Sequence, residues 1–158
     1  MENISNEDKA SWCQQGLNWE HDFVANKNFR DISIEMNNDK ESNPYTYDMK
    51  GLFPCDLKTI HTPWKYAPRM FGIPSDFAIS INHKDLSRYR ELYPNIILIL
   101  DVQYPNYKNT HWANLHLLRQ LILNNKAFLH EYKNRINDTN GNAKNSYVFD
   151  IRDIPVLY

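Results

Sequence analysis

Apolar and polar residues in the first part of the chain follow two different periods. Apolar side chains at helical spacing predict a helix that continues to Asn26, with Ser5 or Asn6 as its cap. From Arg30 to Met36 the period is two, which predicts a strand, and the polar stretch Asn37 to Pro44 predicts a loop. The apolar positions of the predicted helix are Trp12, Leu17, Phe23 and Val24.

The rest of the chain continues to mix strands and helices. The stretch from Asn95 to Val102 is nearly all aliphatic, which is typical of a central strand covered on both faces. Thr110 is predicted to open a helix, and Ala127 to Ile136 a second helical stretch. Further predicted elements are a strand at Phe77–Ile81, a helix at Lys84–Tyr93 capped by Asn82, and a strand at Tyr147–Ile151. The pattern predicts one α/β (α+β) domain over residues 1–158, with a mixed central sheet flanked by helices.

The segment from Tyr45 to Thr59 carries the candidate chemistry. Asp48 lies on one predicted strand and Asp56 on the next, with Gly51 between them as the expected turn. A hairpin there would place the two carboxylates opposite each other, about 5 Å apart at Cβ. Side chains alternate along a strand, so Lys58 points to the same face as Asp56. Two carboxylates this close cannot both stay ionised at low cost, and a bound divalent cation would remove that cost.

This set of groups is suited to metal-assisted phosphodiester hydrolysis. Magnesium prefers one or two carboxylates together with waters and phosphate oxygens. A lysine beside the ion can stabilise charge on a phosphate or lower the pKa of the attacking water. The alternative interpretation is two solvated strands joined by a surface ion pair.

The arrangement resembles the PD-(D/E)xK nuclease superfamily, whose members share a restriction-endonuclease-like core. The resemblance implies that Asp48 is the first metal-binding acid, Asp56 the second, Lys58 the motif lysine, and the Leu57 carbonyl a further ligand. Tyr47 stands where the motif has proline. Glu20 resembles the glutamate that many members carry on the helix before the first strand, and the resemblance implies that it reaches the metal directly or through water. The implied cofactor is Mg²⁺, with Mn²⁺ as its substitute.

Composition and charge limit the partners. Eighteen basic and nineteen acidic residues give a formal net charge of −1, so any DNA contact must come from a local patch. Lys65, Arg69 and Lys50 are the candidates for phosphate contacts. The six histidines lack zinc spacing, and four glycines form no phosphate-binding loop. Cys13 and Cys55 are far apart, as in proteins of a reducing compartment, and no apolar run is long enough to span a membrane.

The sequence therefore predicts a magnesium-dependent endonuclease that acts on double-stranded DNA. We expect it to be cytoplasmic, because the two distant cysteines are typical of a reducing compartment. Frequent asparagine is typical of AT-rich genomes, which suggests a phage or mobile element in a bacterial host. Cutting both strands predicts a symmetric dimer. The expected dimer surface is the apolar part of the helices predicted from Thr110 to Tyr132, and the alternative is that these residues cover the sheet as ordinary core. They include Trp112, Leu117, Leu121, Phe128 and Leu129. The alternatives are a non-catalytic nucleic-acid-binding or protein-interaction module that keeps the nuclease-like fold, and an unrelated α/β regulatory protein.

Overall fold

The computed structural model describes residues 9–26, 34–51, 53–132 and 145–157, with side chains at 9, 10 and 12 excepted. The helices are α1 (Lys9–Asn26), α2 (Ala67–Phe71), α3 (His83–Leu92) and α4 (Leu115–Leu123). The strands are β1 (Glu35–Met36), β2 (Met49–Lys50), β3 (Pro54–Ile60), β4 (Ala78–Asn82), β5 (Ile97–Gln103), β6 (Lys108–Asn114), β7 (Ala127–Glu131) and β8 (Asn145–Asp150). Three short 3-10 helices cover Asn38–Glu41, Ser75–Phe77 and Ile151–Asp153.

The larger sheet has the strand order β1-β2-β3-β5-β6. Strands β1 to β3 form an antiparallel meander, β3 pairs with β5 in parallel, and β6 returns antiparallel to β5. The expected mixed central sheet flanked by helices is confirmed. The predicted hairpin is also confirmed, because Met49 pairs with Cys55, and the same register places Asp48 opposite Asp56.

The two faces of β3 belong to different cores. Cys55 and Leu57 pack with Phe23 of α1 and Met49 of β2. Asp56, Lys58 and Ile60 alternate with them and point to the other face. There, Ile60 packs against a larger cluster built from both sheets. The central strands are thus covered on both sides, as the aliphatic sequence of β5 indicates.

A second sheet is antiparallel and has the strand order β4-β8-β7. In sequence, β4 lies between β3 and β5, and β7 and β8 follow the last strand of the larger sheet. Asn82 ends β4 and caps α3, because its side-chain oxygen accepts a hydrogen bond from the Lys84 N–H. The predicted cap is therefore confirmed, and it fixes the start of the helix that faces the acidic hairpin.

Two helical predictions in the second half are wrong. Residues Lys108–Asn114 form strand β6, and α4 begins only at Leu115, where the Asn114 side chain accepts from the Leu117 N–H at 2.8 Å. The helical spacing of Trp112 and the following leucines spans the junction between a strand and a helix. The chain then turns through Asn125, whose φ is 57°, so the predicted second helical stretch is strand β7 paired with β8. Pairing across the sheet outweighs the local preference of this segment.

Some predictions fall wholly or partly outside the described residues. These are the caps Ser5 and Asn6, the strand from Arg30 as far as Ser33, and the helical stretch beyond Tyr132. Among the helices that the structure describes, none is both long and apolar enough to cross a membrane.

Candidate active site

Asp48 and Asp56 lie side by side at the point where the hairpin opens. Asp48 directly precedes β2 and is 6% exposed, and Asp56 lies on β3 and is 4% exposed. The Leu57 N–H donates a hydrogen bond of 3.0 Å to Asp48 Oδ2. The hairpin register places Asp56 directly opposite Asp48. The sequence-predicted acids are therefore brought together and removed from solvent.

The short length of β2 explains this geometry. Its pairing with β3 stops at Met49, which lies opposite Cys55. After Cys55, the edge of β3 that faces β2 has no strand partner. The Leu57 N–H lies on this edge, and the Asp48 side chain takes the place of a backbone acceptor. The N–H and C=O of one strand residue face the same edge, so the Leu57 carbonyl also faces the acids. Its predicted role as a metal ligand is compatible with this direction and remains a prediction.

Asp56 is surrounded by donors. Tyr89 of α3 donates its hydroxyl to Asp56 Oδ2 at 2.7 Å, and Lys58 Nζ lies 3.0 Å from the same oxygen. Burial acts to raise the pKa of Asp56, but the Lys58 charge and these hydrogen bonds outweigh it and the pKa is lowered. Asp85 lies 3.4 Å from Lys58 on the opposite side. Burial acts against the lysine charge, yet Asp56, Tyr89 and Asp85 raise its pKa well above the ordinary value.

The pKa of Asp48 shifts in the opposite direction, upward. Burial, followed by the charges of Asp56 and Glu20, raises its pKa to about 7, even though a lysine lies beside it. The pKa of Asp48 is thus raised while that of Asp56 is lowered, so Asp48 is the member of the pair that is protonated more readily.

Lys40 is the site residue that sequence reasoning missed. It lies in the 3-10 helix Asn38–Glu41, and its Nζ contacts Glu20 Oε2 at 2.5 Å and also Asp48 Oδ1. Buried Asn37 holds this loop in place, since its backbone N–H donates to the Asp48 carbonyl at 2.9 Å and its side chain donates to the Tyr47 carbonyl at 2.9 Å. The segment has no periodic pattern, so nothing local distinguishes Lys40 from a solvated loop lysine.

Tyr89 and Asp85 were also missed, although a signal for them exists. They are four residues apart on α3 and therefore lie on one helix face. Both face the strand residues Asp56 and Lys58. The sequence signal for them is a pair of polar residues four positions apart on a helix that follows the acidic strand.

The donor set fits a hard divalent cation of low protein coordination. In the described ranges, no three His, Cys, Asp or Glu side chains form a ready-made metal cluster. Two adjacent carboxylates and the Leu57 carbonyl are nevertheless sufficient protein ligands for magnesium when water molecules complete its coordination shell. The Lys40 ammonium lies between Glu20 and Asp48, which shows that this side of the site accepts positive charge. Glu20 reaches the site through Lys40, and its direct role at a metal stays a prediction.

The three cationic DNA-contact candidates lie on the exposed surface. Lys65 precedes α2 and Arg69 lies within it, both after the end of β3. Lys50 is exposed on β2 and lies 3.9 Å from Asp39. No contact between these three side chains and the two acids is found in the described part of the chain. They remain candidates for contacts with DNA at a distance from the acids.

No family model and no curated protein matches the sequence. Among solved structures, a nuclease from a fusselovirus matches with a TM-score of 0.48 and 11% sequence identity. The match covers 99% of this chain and 89% of that one. Similarity at this level shows nothing about the chemistry of this chain.

Proposed function

We propose that this protein is a divalent-metal-dependent DNA endonuclease that hydrolyses phosphodiester bonds. The observation that carries the proposal is the buried Asp48–Asp56 pair, in which two carboxyl groups lie opposite each other beside the Lys58 ammonium. Such a pair costs free energy unless a cation binds to it. We expect Mg²⁺ as that cation, with Mn²⁺ as a substitute.

In this proposal Asp48, Asp56 and the Leu57 carbonyl hold the ion. When bound, the ion polarises the phosphodiester and stabilises the charge that develops in the transition state. Lys58 is held as an ammonium by Asp56 and Asp85, so it donates hydrogen bonds and cannot accept a proton. It orients the attacking water and stabilises negative charge on the phosphate. Tyr89 keeps Asp56 in place through its 2.7 Å hydrogen bond.

Plasmid cleavage tests the proposal. We expect nicking or cutting in Mg²⁺ and Mn²⁺, none in EDTA, and none for Asp48→Asn or Asp56→Asn. Asp39→Asn is the matched control, since Asp39 is an exposed carboxylate whose contact to Lys50 is long. Full activity of Asp56→Asn, in protein free of contaminating nuclease, would overturn the proposed site.

Binding of double-stranded DNA is proposed to use Lys65, Arg69 and Lys50. With a net charge of −1, few phosphates can be neutralised, and log affinity should fall with log salt by about 0.9 for each of them. Replacing Lys65 and Arg69 by glutamine should flatten this slope by about 2. An unchanged slope would place the DNA surface elsewhere.

A second candidate function is a binding module that has lost catalysis. One observation favours it, because a lysine that bridges Glu20 and Asp48 is also how a degenerate metal site is neutralised. Titration with Mn²⁺ and with Ca²⁺ distinguishes the two functions. Absence of binding, together with DNA affinity that EDTA leaves unchanged, would support the module.

A dimer is proposed for cleavage of both strands. The structure reduces the expected surface, because Leu121 is buried and Trp112 and Leu117 are half-buried in the fold. Phe128 and Leu129 on β7 are exposed. Light scattering with and without DNA tests the dimer, and a monomer in both states would indicate a nicking enzyme.

A further inference from the structure

An open groove of about 380 Å³ lies beyond the carboxyl end of β3, between the two sheets. That volume is within the range of pockets that hold small ligands. The groove is lined by Ile60, Trp64, Lys65, Tyr66, Tyr104 and Tyr132, among others. Neither Asp48 nor Asp56 lines the groove, but Lys65, a candidate DNA contact, does.

Flat aromatic surfaces are the main feature of this groove. The rings of Trp64 and Tyr132 are nearly parallel, with an interplanar angle of 14° and centroids 6.2 Å apart. Trp64 is fixed from the side by Phe71 and His130, whose rings meet it edge-on at 5.4 Å and 4.9 Å. The ring positions are therefore set by packing within the protein, before any ligand arrives.

Part of this aromatic surface faces solvent. Tyr66 is 66% exposed and Tyr132 is 41% exposed. Tyr104 also lines the groove but is buried, and its hydroxyl donates to the Ala78 carbonyl at 2.8 Å, which holds the ring in place. Exposed aromatic rings on a rigid base offer contact area at little cost in conformational entropy.

Charge favours a nucleotide as the occupant. Lys65 lies at the groove, and no acidic residue is among the described residues that line it. Aromatic faces beside an ammonium match a planar base attached to a phosphate. Because every base has a π-face, such a groove is tolerant of sequence.

The position of the groove connects it to the acids. Asp56, Lys58 and Ile60 alternate onto one face of β3, and Ile60 lines the groove. Four residues of strand place the groove about 13 Å from Asp56, which is about four stacked nucleotides or fewer extended ones. A base within a duplex cannot enter such a groove, because its faces are covered by its neighbours.

We propose that the groove binds one unpaired nucleobase of the substrate strand, a few nucleotides from the phosphate that is cut, with Lys65 at an adjacent phosphate. This inference rests on the proposed nuclease function and refines its substrate. The preferred substrate is DNA with a single-stranded segment beside the cleavage point. A fully paired duplex leaves the groove unused.

Binding measured without catalysis tests the groove separately from the acids. Fluorescence anisotropy of a labelled oligothymidylate in EDTA should show about ten-fold weaker binding for Tyr132→Ala and for Tyr66→Ala. Binding of a fully paired duplex should change less than two-fold for the same variants. Tyr45→Ala is the matched control, because Tyr45 is an exposed tyrosine on the loop before β2. Equal loss on both probes, or no loss on either, overturns the inference.

Trp64 gives a second readout that does not depend on affinity. Oligothymidylate should quench tryptophan fluorescence in the normal protein and in Asp56→Asn, and the quench should be lost in Trp64→Phe, which keeps a ring in the packing. Quenching that survives Trp64→Phe contradicts the groove. Quenching of the unsubstituted protein, combined with no plasmid cleavage by it in Mg²⁺ or Mn²⁺, would support the groove and contradict the nuclease.

Substrates with a single abasic position complete the test. We expect one position, two to four nucleotides from the cut, at which loss of the base slows cleavage by the unsubstituted protein. At that position the cleavage rate of Tyr132→Ala should not change. A uniform response at all positions overturns the groove, while metal-dependent cleavage itself still supports the nuclease.

Discussion

The two aspartates of the hairpin are the same residue type at nearly the same depth, yet they behave as opposites. Asp48 and Asp56 are 6% and 4% exposed, so burial acts on both. The pKa of Asp48 is raised to about 7, whereas that of Asp56 is lowered. The neighbours make the difference: Asp56 receives a tyrosine hydroxyl and Lys58, while Asp48 faces two other acids and Lys40.

This contrast separates the roles of the two carboxylates. The pKa of Asp56 is lowered, which favours its ionised form, and Tyr89 of α3 holds the carboxylate in place. Asp48 is held by a loop and exchanges a proton near neutral pH. A pair in which one member is already ionised needs to release only one proton when a cation binds. The site is thus prepared for a second positive charge on the Asp48 side.

The largest expected effect distinguishes the two lysines. Lys58→Met should reduce single-turnover cleavage by about 10²–10³-fold, because it removes a donor aimed at developing charge. Lys40→Met should cost far less, since Lys40 lies on the side where the cation is expected. Equal losses in the two variants would mean that both lysines act on the phosphate.

Stability should separate the aspartates next. Asp56→Ala leaves Lys58 with one long ion pair and the buried Tyr89 hydroxyl without its acceptor, so we expect a loss of about 3–5 kcal/mol. Asp48→Asn removes a charge from a crowded anionic site and should leave the metal-free protein equally stable or more so at pH 8. Urea unfolding in EDTA measures both. Similar destabilisation by both variants would remove the distinction.

The pH dependence of stability should differ as well. Between its ordinary pKa of 3.8 and about 7, Asp48 keeps a proton in the folded state that the unfolded chain has lost. The free energy of unfolding should therefore fall across this window as pH rises, by at most about 1.4 kcal/mol per pH unit. Asp56 has the opposite sign: its contribution is present above 3.8 and is lost as pH falls below that value.

Unfolding of the metal-free protein at pH 5 and pH 8 measures this slope. In Asp48→Asn the fall between the two values should disappear. A slope that persists in the variant would assign the titration to another group.

The smallest expected effect concerns metal affinity. If the Lys40 ammonium and a metal ion compete for Asp48, Lys40→Met should tighten Mn²⁺ binding by about ten-fold, as the loss of one nearby like charge predicts. Lys84→Met, on an exposed position of α3, is the matched control. Calorimetry of both variants in the absence of DNA gives the comparison, and weaker Mn²⁺ binding in Lys40→Met would show that Lys40 organises the site.

Local sequence was enough to place the acids and not enough to place their neighbours. Gly51 between two predicted strands indicates a hairpin, so Asp48 and Asp56 could be paired from the sequence, and the observed register agrees with that pairing. Tyr89 lies 33 residues from Asp56, and its contact depends on how α3 crosses the sheet. Lys40 is close in sequence but lies in an aperiodic loop, whose path is set by the buried side chain of Asn37.

The errors in the second half have a related cause. Trp112 and Leu115 fit one helical stripe, although the boundary between β6 and α4 falls between them at Asn114. Asparagine is a favourable N-cap residue. Asn114 indicates a helix start only if the preceding residues are first predicted to be a strand. Strand β7 is defined by its partner β8, which follows it after a long interval in sequence.

The parallel pairing of β3 with β5 also has a consequence for the order in which the molecule assembles. The hairpin closes a loop of a few residues, whereas Asp56 pairs opposite Leu98 only after a separate sheet strand and two helices have been passed. Contacts between neighbours in sequence form early during folding, and distant ones wait for the entropy of a long loop to be overcome. The carboxylates therefore meet while still in water, where two charges repel only weakly, and Tyr89 arrives with α3 later. Proton uptake by Asp48 should accordingly accompany the final docking of the helix and not the formation of the hairpin.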